Sequence, residues 1–146
     1  MAELTASSRI IGYILITLLG VFTLTVWWAQ VEVLRGGAFR NPDGTVDDWH
    51  EQRVIFGISL ADVFLACPAG AAGIVLTFLS PRWGYYLLAL VSFWFLWANT
   101  MTTATSLRFE RPRITLQWMI VFPLGAVIGL AYIVWTFIHF DAIYGL

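Results

Sequence analysis

Long apolar runs separated by short polar interruptions dominate the pattern of this chain. Four of them occupy 10–28, 54–79, 83–106 and 116–140. Each meets or approaches the roughly 20 residues an α-helix needs to cross a ~30 Å hydrocarbon layer. Peptide groups inside such a layer find no water, so each run must satisfy them internally, as a helix. The pattern therefore predicts an all-α integral membrane protein, a four-transmembrane-helix bundle forming one membrane domain over 1–146. Four crossings put both termini on the same side. The connections are a polar loop over 30–53, a tight turn at Ser80-Pro81-Arg82, and a short segment over 107–114. Proline suits that tight turn because it tolerates a first helical position and blocks continuation of the helix before it. Arg9 precedes the first run as a signal-peptide n-region would, but residues 25–29 offer no small-x-small cleavage site, so a retained helix is expected.

Composition agrees. Of 146 residues, 60% are hydrophobic and 12% charged, whereas a soluble domain carries about 25% charged residues. That supply is too small to clothe a water-facing surface. All eight basic residues are arginine and the net charge is −1, so no basic face is available for nucleic acid. A single cysteine, Cys67, excludes an internal disulfide and a multi-thiolate metal site. The eight tryptophans fit the aromatic belts of a membrane–water interface. Tyr13, Trp83, Tyr85, Tyr86, Trp135 and Tyr144 fall toward the end that holds the termini; Trp27, Trp28 and Trp118 fall toward the other.

Arginine also sets the expected orientation. Arg9 and Arg82 lie at the terminal end, against Arg35, Arg40, Arg53, Arg108, Arg111 and Arg113 at the loop end. Basic residues in short loops stay in the cytoplasm, which places loops 30–53 and 107–114 inside and the termini outside. Within the first loop, Asn41-Pro42-Asp43-Gly44 has the composition of a β-turn. Thr45 with Asp48 resembles a helix N-cap, so the second helix is expected to begin near Val46. Arg108, Arg111 and Arg113 suit anionic lipid headgroups or a protein contact.

Candidate chemistry rests on the few polar residues inside the spans. An ionisable side chain there costs about 2.5–3.5 kcal/mol on insertion scales, and generally faces inward or pairs. Asp62 lies about 12 Å below the loop-end boundary and Asn99 about 10 Å below it, at 1.5 Å per residue. The two are therefore expected to share a level and to face each other. Ser59, Thr102 and Thr103 lie just above them, with His50 and Arg53 higher still. The cluster reads as a hydrogen-bonded clamp between helices, a ligand or cation cavity, or a proton-transfer site. Thr23, Thr25, Gln30 and Gln117 belong to the same half, and the other half is apolar until Thr136 and His139.

Small residues mark expected close packing: Ala66, Gly70 and Gly73 on the second helix, and the GxxxG pair Gly125 and Gly129 on the fourth. Such stripes serve internal contacts or a homo-oligomer equally well. Pro68 and Pro123 are expected to kink their helices. Trp94 and Trp97 fall near mid-bilayer and, with Phe93, cover much of one helix circumference. Some must face outward, toward lipid, another membrane subunit, quinone or pigment.

The two histidines sit at opposite ends, which excludes a bis-histidine haem within the chain. His139 and Asp141 are expected to end the last helix in water, a surface metal site being the alternative. The acids Asp43, Asp47, Asp48 and Glu51 lack EF-hand spacing and read as a solvated loop. The polar cluster lacks paired histidines, a carboxylate pair and a serine–histidine set near one another, so the sequence predicts neither a catalytic motif nor a cofactor. Three functions fit: an accessory or structural subunit of a larger membrane complex, a small-ligand or cation module centred on Asp62 and Asn99, or a membrane enzyme using Asp62 and His50 on a lipid-soluble substrate.

Overall fold

A computed structural model describes residues 4–35, 56–107 and 116–145. The loop turn and cap, His50, Arg53, Arg108, Arg111 and Arg113 lie outside the described residues.

Every described element is helical. Helix α1 spans Ala6–Leu34 and starts at Thr5, whose extended backbone and side-chain oxygen cap the Ser8 amide. Helix α2 spans Phe56–Leu79 and α3 spans Pro81–Ser106. Helix α4 spans Leu116–Ile138, and a last short turn, α5, covers Phe140–Tyr144. Glycine at 145 adopts the left-handed conformation (φ 69°) that closes α5. Four helices are long and apolar enough to cross a membrane. Helix α1 begins before the predicted run 10–28 and continues through the polar residues up to Leu34, into the predicted loop 30–53. Backbone hydrogen bonding carries a helix past the point where its sequence ceases to be apolar.

The two prolines act differently. Before Pro68, residues Asp62–Ala66 form a π-helical stretch, closed by the Cys67 amide on the Asp62 carbonyl. A proline has no N–H and its ring crowds the carbonyl four residues back; the wider turn makes room for it. Helix α4, by contrast, runs through Pro123 without a break.

The α2–α3 connection is one residue long. Ser80 accepts from the Trp83 and Gly84 amides while its own amide reaches back to Leu76. Gly84 lies directly against the backbone of Leu76 and Thr77, where a side chain has no room.

The core joins α1 (Ile16, Leu19, Phe22), α3 (Leu88, Val91, Phe95) and α4 (Ile128, Tyr132). Phe22 and Phe95 meet edge to face, with centroids 5.1 Å apart. Both small-residue stripes are used inside the chain. A Cβ on Gly129 would stand 2.5 Å from the Ser92 carbonyl oxygen, and one on Gly125 would run into Phe22 and Asn99. Gly70 faces Thr23, Gly73 faces Leu88, and Ala66 is buried beside them. The GxxxG pair thus packs within the chain, Gly129 on α3 and Gly125 on α1 and α3.

The exterior is apolar on all four long helices: Phe137 is 81% exposed, Phe78 75% and Leu65 70%. Soluble monomers rarely expose large apolar patches.

Candidate functional site

Asp62 begins the π-helical stretch and is 4% exposed. Its oxygens accept one N–H each: Trp94 Nε1 of α3 lies 2.6 Å from Oδ1 and Gln30 Nε2 of α1 lies 3.1 Å from Oδ2. The Ser59 hydroxyl, one turn earlier on α2, donates to the other end of the Gln30 amide. The chain Ser59–Gln30–Asp62–Trp94 therefore ties α1, α2 and α3 together through a single carboxylate.

These partners differ from the expected ones. Asn99 is buried, but its amide donates to the Phe95 carbonyl of its own helix at 2.8 Å and its side chain lies against Gly125 of α4. Thr102 and Thr103 likewise bond their own helix, at the Ala98 and Asn99 carbonyls. The reason is helical phase. Asn99 stands five residues beyond Trp94, which is about 140° around the axis and about 7.5 Å along it. Only one of the two can meet Asp62, and the indole does. Counting residues makes Asn99 level with Asp62, whereas the residue that meets Asp62 stands five residues earlier on α3.

Trp94, a candidate partner or lipid contact together with Trp97, turns inward to Asp62. A buried indole N–H needs an acceptor, and Asp62 is the lone acid of α2. Taken together, those two facts are the signal that identifies the pair. Trp97 remains 47% exposed, with its ring centroid 5.3 Å from that of Trp94. Phe93, Leu96, Trp97, Thr100 and Met101 share one face of α3.

With both oxygens taken by N–H donors, Asp62 is set up to hold helices together. Among the described residues, no group of three or more His, Cys, Asp or Glu side chains is placed to hold a metal ion.

A second constellation occupies the opposite end, where the start of α1 meets the end of α4. His139 is half-buried and does not simply end its helix in water. Its Nε2 lies 3.0 Å from Ser8 Oγ and its Nδ1 2.8 Å from the Trp135 carbonyl oxygen. Trp135 in turn donates its indole N–H to the Ser8 carbonyl at 3.2 Å, and its ring fills the notch left by Gly12. The sequence gives no hint of this serine–histidine pair, whose members stand 131 residues apart.

The chain matches no protein-family model, no curated protein and no solved structure.

Proposed function

We propose that this chain is a small multi-pass membrane protein serving as an accessory, structural subunit of a larger membrane complex. The observation that carries the reading is the setting of Asp62: each oxygen of its carboxylate accepts an N–H from another helix of the same chain. The polar site thus spends its chemistry on holding three helices in register. The outward Phe93–Trp97 face of α3 supplies the docking surface, and lipid covers the remaining apolar exterior. On the arginine count, loops 30–53 and 107–114 face the cytoplasm and the termini face outside.

Extraction in a mild detergent, followed by native gel electrophoresis, tests this. The expected result is migration well above the 16.5 kDa chain together with defined partner polypeptides. Trp97→Ala and Phe93→Ala then release those partners while the chain stays folded. A single species of the chain's own size, free of partners, overturns the proposal.

The cation or small-ligand module is the second reading, favoured by the burial of a lone carboxylate at mid-span. It requires Asp62→Asn to abolish binding or flux, whereas a clamp tolerates that change.

A further inference from the structure

Ser8 and His139 have the arrangement of an activated nucleophile and its base, and we propose that they form a catalytic dyad for acyl esters presented at the membrane surface. The inference stands apart from the subunit role assigned above, because it uses neither Asp62 nor the α3 face.

Three contacts fix the geometry. The Trp135 carbonyl oxygen can only accept, so His139 Nδ1 carries the ring proton that meets it. In the neutral imidazole Nε2 is then an acceptor, 3.0 Å from the Ser8 hydroxyl. Thr5 Oγ1 lies 2.8 Å from Ser8 Oγ on its other side. With Thr5 donating to Ser8, the Ser8 proton points at the imidazole. A nucleophile in reach of a base whose far nitrogen is held by a third group is the general pattern of nucleophilic catalysis. Here the backbone of Trp135 plays the orienting part. The indole of the same residue anchors the Ser8 carbonyl, so one residue positions both members.

Placement selects the substrate class. Ser8 lies in the first turn of α1, where unpaired helix amides and the positive end of the helix dipole favour developing negative charge. The Ser8 amide is given to Thr5, which leaves the Ala6 and Ser7 amides for the oxyanion. The pair sits at the ends of two membrane-spanning segments, hence at headgroup level, where the carboxylic esters of glycerolipids lie.

The step balances within the pair. Ser8 Oγ attacks the ester carbonyl carbon as its proton passes to His139 Nε2. The bond from carbonyl carbon to alcohol oxygen breaks, and the departing alkoxide takes that proton as an alcohol. Water repeats the attack on acyl-Ser8, with His139 again receiving and returning a proton, to release a carboxylic acid.

The test uses the full chain in phosphatidylcholine vesicles, treated with an alkyl fluorophosphonate and digested for mass spectrometry. A single phosphonyl adduct on Ser8 is expected. Ser8→Ala abolishes it, Ser80→Ala leaves it, and His139→Gln slows it by at least about a hundredfold, the lower range for a positioned base. Release of fatty acid from a short-chain phosphatidylcholine follows the same order. Absence of any adduct on the wild-type chain overturns the proposal without reference to a variant. So does an adduct whose rate is unchanged in a folded His139→Gln protein.

Discussion

At the scale of the residue, Asp62 is informative because its two oxygens have different partners of the same kind. Asp62→Ala leaves the Trp94 indole N–H and the Gln30 amide N–H without an acceptor. Each orphaned donor costs about 1–3 kcal/mol, so a loss of about 2–6 kcal/mol is expected in SDS unfolding from mixed micelles. Asp62→Asn is far milder. Its remaining carbonyl oxygen keeps Trp94, while its new amide donates to a Gln30 that has flipped end for end. The Ser59 hydroxyl, formerly a donor to Gln30, then accepts. We expect the Asn variant within about 1 kcal/mol of the wild type, roughly the net value of one hydrogen bond; an equal loss in both variants would show that the charge itself matters. Trp94→Phe removes one donor from Oδ1 and is expected to fall between these two in the same titration.

At the scale of the element, the glycines separate two roles that look alike in the sequence. Gly129 lies against the backbone of Ser92 and Leu96, which cannot step aside. Gly129→Ala must push α3 and α4 apart, at about 1–3 kcal/mol for forced overpacking. Nothing stands within 4 Å of a Cβ on Gly57. Gly57→Ala should raise the unfolding midpoint, by about 0.4–1 kcal/mol. Opposite signs for the two variants, read by circular dichroism during SDS titration, check the assignment of the α3–α4 contact. Helix positions were the most legible part of the sequence, because apolar run length alone decides them. The GxxxG stripe was legible as a close-packing surface, but its partner was not, since an internal helix and a second copy demand the same small residues. The Asp62 cluster was half legible. Depth follows from counting residues, and it found Ser59, Gln30 and Asp62 in one half; azimuth depends on how α3 rolls against α4, and that misassigned Asn99 and Trp94. The Ser8–His139 contact was not legible, because it depends on the start of the first helix and the end of the last being neighbours in space.

At the scale of the whole molecule, the polar ties lie near the two ends and the apolar core between them. Gln30, Ser59, Asp62 and Trp94 close one end, Ser8, Trp135 and His139 the other. Helix α1 takes part in both, so it is fixed twice and cannot slide along its axis without breaking one set. The π-helical stretch adds a constraint of a different sort. One residue in Asp62–Ala66 is surplus to a regular helix. Deleting Val63 would therefore let the stretch close into a regular α-helix, with the turns on either side keeping about their present rotation, whereas the same deletion in a regular helix would turn its flanks by about 100°. The Asp62 carboxylate and the Gly70 and Gly73 face would both stay on their seams. In this helix a single-codon deletion is absorbed, and its mark would be a chain that keeps both its helical content and the bond from Trp94.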